Sequence, residues 1–225
     1  NWDGWQYYIN MSSFRALYPL LGRENFSNEY EYKEYHRDAN FLKLKMLEKV
    51  QPQRLRDELI LILKEKYPLK PIKGIQELIG FEFINPHLSV SKKTYGLLRS
   101  IENQISWFRR FYPQRRQIDA WLIYFMGLID SLNINEVKSS CKKFVFRKGE
   151  EKRMLTYKKI THKFIQVLSK DKIRPSKIFA LLEILSYEVI LLLKAKYKNH
   201  NIQKHIKDFF GVYNGMRIHI SGKDL

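Results

Sequence analysis

The chain has 225 residues, of which 44% are hydrophobic and 14% aromatic. That is enough apolar material to bury the core of one large or two small domains, and it excludes an intrinsically disordered chain. The formal net charge of +18 predicts a polyanionic partner, with nucleic acid first and an anionic membrane surface second.

The positive charge is unevenly distributed along the chain. Residues 1–40 hold four basic and six acidic side chains, whereas residues 41–225 hold 37 basic and 17 acidic ones, a net charge of +20. We therefore expect the polyanion-binding surface within 41–225. Residues 1–40 are rich in Trp, Tyr and Asn without a regular period, and we interpret them as an irregular extension with no assigned role.

Cys141 is the only cysteine, so the chain can form neither an intramolecular disulfide nor a zinc site built from thiolates. We expect Cys141 to be buried and the protein to reside in the reducing cytoplasm. The six histidines show no metal-ligand spacing. We therefore predict no metal site in this chain and interpret the histidines as surface or helix-capping residues.

The sequence contains no recognisable signal peptide or membrane-spanning segment. Its longest aliphatic runs, at Val189 to Leu193 and Leu59 to Leu63, have five residues each, whereas a helix that crosses a bilayer needs about 20 apolar residues. We therefore expect no membrane partner. The chain begins at Asn1 rather than at methionine, which suggests a fragment or a processed chain.

Helical periodicity dominates the chain after residue 40. Residues 54–66 place Leu55, Leu59, Ile62 and Leu63 on one face, the pattern of an amphipathic helix. Alternating apolar and polar residues, which indicate strands, are nearly absent, so we predict an all-α protein. Further helices are predicted between turn-forming residues at 71–80, 92–111, 115–132, 150–169, 175–185, 186–197 and 200–212.

Local signals define the ends of some of these helices. Pro71 suits the first turn of a helix, and Gly80 suits the position just after its end. Asn133 and Glu136 have the spacing of a capping box and predict that another helix begins there. Within 115–132, one face is expected to carry Ile118, Trp121, Leu122, Phe125, Ile129 and Leu132.

Two stretches resemble a known family. Arg54-Leu55-Arg56-Asp57-Glu58-Leu59, followed by Leu69-Lys70-Pro71-Ile72, Leu78-Ile79-Gly80 and Ile84-Asn85-Pro86, is similar to the neck segment of class II tRNA nucleotidyltransferases. This family includes the CCA-, CC- and A-adding enzymes and bacterial poly(A) polymerases. Ile220-Ser221-Gly222-Lys223-Asp224-Leu225 resembles the start of the family's tail.

The resemblance implies a multi-helix array of neck, body and tail. It divides the chain into neck-like helices at 41–90, a basic helical body at 91–212 and the start of a tail at 213–225. In the family, residues at the positions of Arg54 and Glu58 brace the neck helices, so the resemblance implies a structural role for both.

The motifs of the family's catalytic head are missing from this sequence. The sequence has no Gly-Gly turn and no Asp-x-Asp pair, whereas the two-metal route needs carboxylates that share divalent ions. We therefore assign no catalytic residue, and whether this chain is itself an enzyme stays open. A head, in the same polypeptide or in a partner, is expected to supply Mg²⁺ chemistry with ATP, CTP or both.

Two segments concentrate the basic residues. Residues 107–116 place four arginines among aromatic side chains, and residues 138–174 hold 13 basic and three acidic side chains, a net charge of +10. Arginine binds phosphate bidentately, and aromatic rings stack on bases. The predicted RNA-binding residues are Arg109, Arg110, Arg115, Arg116, Lys142, Lys143, Arg147, Lys148, Lys152, Arg153, Lys158 and Lys159.

The leading functional hypothesis is an RNA-binding body that holds the acceptor and elbow of tRNA by the phosphate backbone, while the head adds CCA, CC or A to the 3′ end. One alternative is a helical protein-interaction scaffold with an incidentally basic surface, its aromatic residues forming core and its arginines a solvated rim. Another is a membrane-surface protein that uses the 186–197 helix.

Overall fold

The computed structural model describes residues 50–215, and all regular secondary structure in this range is helical. The predicted all-α class is confirmed. Two short 3-10 helices lie at Ile129–Ser131 and Tyr213–Gly215. The α-helices, in chain order, are α1 Pro52–Lys64, α2 Leu69–Leu78, α3 Lys92–Phe111, α4 Ala120–Leu128, α5 Ile134–Lys143, α6 Lys148–Lys158, α7 His162–Leu168, α8 Pro175–Glu183, α9 Tyr187–Lys196 and α10 His200–Gly211.

The described residues form two compact units, each built from two chain segments. The first unit contains 50–95 and 128–147, and the second contains 96–127 and 148–215. The sequence-based division into a neck-like region and a body stays a prediction. The extension at 1–40 and the tail-like motif at 220–225 lie outside the described residues.

In the first unit, α1 buries the face that its periodicity predicts. Leu55, Leu59, Ile62 and Leu63 are each at most 6% exposed, and their burial supplies much of the driving force for docking this helix. The Arg56 guanidinium supports the same unit by donating from Nη1 to the carbonyl oxygens of residues 144 and 145, at 3.0 and 2.5 Å. It thereby satisfies carbonyl groups just beyond the end of α5.

The two predicted local signals of the first unit are confirmed. Gly80 follows the end of α2 with φ +71°, a left-handed backbone conformation that favours glycine. At the start of α5, the Asn133 side chain accepts from the backbone N–H groups of Asn135 and Glu136, and Glu136 accepts from the Asn133 N–H. This is a complete capping box.

In the second unit, α4 is buried on every side. Trp121, Leu122 and Phe125 of the predicted apolar face are buried, but the burial is not confined to that face, because all residues from Trp121 to Gly127 are buried. A helix surrounded by other elements has no solvent-facing stripe. Gly127 permits part of this packing, since a Cβ there would lie 2.5 Å from Cδ1 of Ile101 on α3.

Two predicted helices have different bounds in the structure. The 115–132 helix begins only at Ala120, because the preceding residues contribute to side-chain and backbone contacts of the second unit. The basic segment 150–169 forms two helices, α6 and α7. They separate at Thr161, whose hydroxyl caps α7 by accepting from the N–H of Phe164 at 3.2 Å.

An aromatic cluster joins α3, α9 and α10 within the second unit. Its centre is Phe210, which is fully buried on α10. Edge-to-face and tilted ring contacts of this kind add stabilisation beyond the burial of apolar area. The rings around Phe210, with centroid distances between 5.0 and 6.3 Å, belong to Trp107, Phe108, Tyr112, Tyr187 and Phe209.

No helix within residues 50–215 combines the length and the apolar character that a membrane crossing requires.

The capping box gives a direct test of the first unit. Asn133→Ala removes the acceptor for two N–H groups at the start of α5, and we expect the free energy of unfolding to fall by about 1 kcal/mol. Urea denaturation followed by circular dichroism measures the change. The control is Asn135→Ala, an exposed substitution two residues further along the chain. A loss of stability in this variant equal to that of Asn133→Ala would contradict the assignment.

Candidate nucleic-acid interface

A buried carboxylate organises the charges of the second unit. Glu188 lies in the first turn of α9 and is completely inaccessible to solvent. Its Oε1 and Oε2 accept from Nη1 and Nη2 of Arg116 at 3.2 and 3.0 Å, and Oε1 also accepts from the backbone N–H of Asp119 at 3.1 Å. Arg153 of α6 lies 3.3 Å from the same oxygen and donates to Asp119 at 2.6 Å.

This geometry determines the protonation state of Glu188. Burial on its own would raise the pKa of this carboxyl group, but the hydrogen bonds from Arg116 and from the backbone of Asp119 outweigh it, and the pKa lies below its ordinary value. The Arg116 pKa is raised, chiefly by its hydrogen bond to Glu188. Both groups are therefore ionised, and matched charges and hydrogen bonds hold the buried Glu188 against the half-exposed Arg116.

Three of the predicted RNA-binding arginines contribute to internal contacts of the second unit. Arg116 and Arg153 bind Glu188, and the Arg116 guanidinium also lies 4.9 Å from the ring centroid of Tyr187. Arg115 donates to the carbonyl oxygens of Phe210 and Asn214 at 3.1 and 3.4 Å. Each of these arginines has a structural role, whereas contact with RNA stays a prediction for all three.

Other predicted residues of the second unit face solvent. Lys148, Lys152 and Lys159 are exposed on and just after α6. Their spacing of four and seven residues places them on one side of the helix. Lys158 is half-buried, with its Nζ 5.5 Å from the ring centroid of Tyr157. The side chains of α6 thus separate into an inward face that carries Arg153 and an outward basic face.

The arginine-rich end of α3 contains both core and surface residues. Phe108 is buried, Trp107 is half-buried and Phe111 is 60% exposed, so the aromatic residues of 107–116 are not a uniform core. Arg109 and Arg110 are exposed, and the Arg110 guanidinium lies 5.6 Å from the ring centroid of Phe111. These two arginines and Phe111 remain accessible to a ligand.

The predicted residues of the first unit lie at its surface. Lys142, Lys143 and Arg147 are exposed at and after the end of α5, and Lys143 donates to the carbonyl oxygen of Phe83 at 2.8 Å. The neck-motif residues lie on α1, where Arg54 is exposed and Glu58 is half-buried. The structural role that the resemblance implies for Arg54 and Glu58 stays a prediction.

A cluster of lysines on α9 and α10 was missed by the sequence analysis. Lys194 is only 8% exposed, and the charges that act on it come from Lys198 and Lys207. Burial, reinforced by these two neighbouring lysines, lowers the pKa of Lys194 to about 8. The sequence analysis concentrated on 138–174, although residues 194–207 also hold five lysines and no acidic residue. Which of these lysines is buried is decided only when α9 and α10 pack together.

One histidine is placed differently from the prediction. His205, expected at a surface or in a cap, is buried on α10 with its Nδ1 3.0 Å from the carbonyl oxygen of Leu168. This contact gives a polar atom of the buried imidazole a hydrogen-bond partner, as is usual for a histidine in a protein core. Cys141 is buried, as expected. Across residues 50–215, no group of three His, Cys, Asp or Glu side chains has a metal-binding arrangement, and His36 and His219 lie outside the described residues.

Comparison with known proteins gives relatives of one kind. No protein-family model matches the chain. The A-adding tRNA nucleotidyltransferase of Geobacter sulfurreducens is 27% identical over 191 residues, which cover 83% of this chain and 22% of that protein. The Thermotoga maritima CCA-adding enzyme complexed with tRNA superposes with a TM-score of 0.67 at 18% identity, over 95% of this chain and 51% of the other.

The chain thus resembles tRNA nucleotidyltransferases in sequence and in fold. The resemblance inferred from the neck-like and tail-like motifs is thereby confirmed. A tRNA-processing enzyme with CTP has the same fold, with a TM-score of 0.70 at 22% identity over 93% of this chain and 56% of its own. The chain spans about half the length of these two solved enzymes and about a fifth of the Geobacter protein.

The Glu188 centre predicts the response of the fold to loss of one charge. Glu188→Gln keeps the shape of the side chain but leaves Arg116 and Arg153 facing a neutral group. We expect the free energy of unfolding to fall by about 1–3 kcal/mol, because the buried group loses its charge-assisted hydrogen bonds, whereas solvent partly screens the half-exposed Arg116. Chemical denaturation measures it, and Glu183→Gln, an exposed substitution on α8, is the control that should change little.

Acid pH provides a second test of the same centre. Since the pKa of Glu188 is lowered in the folded protein, its stabilising effect is present above the ordinary pKa of 4.5 and is lost as pH falls through the lower folded value. The stability difference between wild type and Glu188→Gln should therefore be constant near neutral pH and shrink below about pH 4.5. A difference that stays unchanged down to pH 3 would contradict this account.

Proposed function

We propose that this helical chain holds tRNA by its phosphate backbone for a nucleotidyltransferase head that adds CCA, CC or A to the tRNA 3′ end. The observation that carries the proposal is the surplus of exposed positive charge on a fold shared with a tRNA-bound CCA-adding enzyme. The contact region would include the acceptor stem and the elbow, as the sequence analysis expected.

The charge balance of the second unit supports this proposal. Its described residues hold 20 basic and eight acidic side chains, a net charge of +12. Two of the acids, Asp119 and Glu188, are committed to Arg116 and Arg153. The surplus consequently resides in other basic residues, among them the exposed lysines of α6 and the arginines at the end of α3.

The form of recognition follows from the geometry of RNA. The major groove of an A-form helix is too deep and narrow for side chains, so a protein reads double-stranded RNA by shape and by phosphate and ribose contacts. Lysines spaced along one side of α6 suit this mode, because each provides a mobile positive charge without base-specific geometry. We therefore propose that the unit binds tRNA by the positions of its phosphates.

Nucleotide addition is assigned to a head that the 225-residue sequence does not contain, since the sequence has no Asp-x-Asp pair. Mg²⁺ with ATP, CTP or both would be bound by that head. The proposal therefore makes this chain a binding region, and the choice among CCA, CC and A addition would reside in the head.

A charge-reversal experiment tests the proposal. Wild-type protein should bind a tRNA transcript at about 50 mM salt, and engagement of 6–10 phosphates would weaken binding roughly 10³–10⁵-fold by 200 mM. Lys148→Glu, Lys152→Glu and Lys159→Glu, combined, should weaken binding at 50 mM salt by at least about 100-fold, since each substitution replaces a phosphate-attracting charge by a repelling one. Electrophoretic mobility shift measures the affinity.

A matched variant controls for the change of net charge. Lys64→Glu, Lys66→Glu and Lys93→Glu, combined, alter exposed lysines of the first unit by the same six charges. Binding that is absent at 50 mM salt, or independent of salt, would overturn the proposal. Wild-type affinity in the α6 variant would instead favour a protein-interaction scaffold whose surface is basic only incidentally.

A further inference from the structure

Three lysines converge near the connection between α9 and α10. Lys194 lies in the last turn of α9, Lys198 lies in the connection, and Lys207 lies on α10. Lys194 is nearly inaccessible, whereas Lys198 and Lys207 are exposed. Lys198 follows Lys194 by four residues, and Lys207 lies one helical turn after Gln203, the residue that binds the Lys194 ammonium group.

The Lys194 side chain is held by neutral groups. Its Nζ donates to Oε1 of Gln203 at 2.5 Å and lies 4.6 Å from the ring centroid of Trp107 on α3. Gln203 is itself fixed, because its Nε2 donates to the carbonyl oxygens of Lys194 and Tyr197 at 2.7 and 2.6 Å. The amide therefore presents its oxygen to the ammonium group, and the ring presents its negative face.

Hydrogen bonds also connect Lys198 and Lys207 to α3 and to the residue that follows it. Lys198 Nζ donates to Oγ of Ser100 on α3, and this hydroxyl donates in turn to the carbonyl oxygen of Ala195 at 2.8 Å. The carbonyl oxygen of Lys207 accepts from the Tyr112 hydroxyl at 3.3 Å, which ties the backbone of α10 to the end of α3. The positions of the lysine backbones are thus determined by packing within the second unit.

The buried charges at Glu188 and at Lys194 differ in their partners. At Glu188, two arginines and a backbone N–H balance a buried carboxylate. At Lys194, a buried cation has neutral contacts and two further cations nearby, and these neighbours together with burial lower its pKa. An ammonium group removed from water in this way destabilises the folded chain unless an anion approaches it.

Such an uncompensated positive group fits an anionic ligand better than it fits a purely structural role. We propose that Lys194, Lys198 and Lys207 form a binding site for a phosphate group of the RNA backbone. Lys198 and Lys207 contact the phosphate oxygens directly, and Lys194 strengthens the local positive potential from beneath. The inference rests on the proposed function, and it adds a contact site on α9 and α10 to the surface of α6.

Neutralising the two exposed lysines tests the site without disturbing the core. Lys198→Gln combined with Lys207→Gln should weaken tRNA binding about tenfold at 100 mM salt and reduce the slope of log affinity against log salt by about 1. Lys172→Gln combined with Lys177→Gln removes two exposed lysines from the same unit and is the control. Its affinity should stay within about twofold of wild type.

Ethylation interference locates the contact on the RNA. Wild type and the control variant should show the same set of phosphates whose ethylation prevents binding, and the Lys198 and Lys207 double variant should lose one or two adjacent phosphates from this set. Identical affinity and an identical interference pattern in all three proteins would overturn the site but leave the proposed function standing. A wild type that does not bind tRNA would overturn both.

Substitution of the buried Lys194 tests the site through two opposite effects, one on thermal stability and one on tRNA affinity. Lys194→Met keeps an unbranched side chain of similar length but removes the buried charge, so the melting temperature should rise by about 2–4 °C. The affinity for tRNA should fall at the same time by about three- to tenfold, because the local positive potential is lower. Differential scanning calorimetry and mobility shift measure the two effects, and lower stability with unchanged tRNA affinity would show that Lys194 is structural only.

Discussion

The ion pair between Glu188 and Arg116 is the interaction on which the second unit depends. It joins the first turn of α9 to the segment before α4, and Arg153 adds α6 to the same centre. A buried carboxylate destabilises a fold when it lacks partners and becomes part of a rigid core when every oxygen is satisfied. Here two guanidinium groups and a backbone N–H satisfy it, so three chain segments are fixed around a single charged group.

The fixed core has a consequence for the surface of the same unit. Once Arg153 points inward, the outward side of α6 carries Lys148, Lys152 and Lys159. In the sequence, these basic residues belong to one segment, 138–174. The structure separates those that stabilise the fold from those that face solvent. The proposed tRNA contact belongs to the second group, together with the lysines near the connection between α9 and α10. Charge in this unit is therefore organised by burial as much as by composition.

Helix positions were largely predictable because they depend on local chemistry. The capping box at Asn133, the glycine after α2 and the apolar face of α1 each involve residues within a few positions of one another. The errors have equally physical causes. The burial of α4 beyond its predicted apolar face was missed because it depends on elements distant in sequence, and the 150–169 helix was predicted as one because the Thr161 cap was not recognised. The family resemblance, carried by short motifs in the right order, was confirmed.

The sequence by itself determined the helical class, the excess of positive charge and the family resemblance, since all three are properties of composition and of short segments. Only the tertiary structure decided which charges are neutralised internally. Arg116 and Glu188 are 72 residues apart in the chain, and no local pattern reveals that they meet. The same holds for Lys194, whose burial and neighbours arise from the packing of α3, α9 and α10. Electrostatic energy depends on distance and desolvation in three dimensions, and neither can be read from the order of residues.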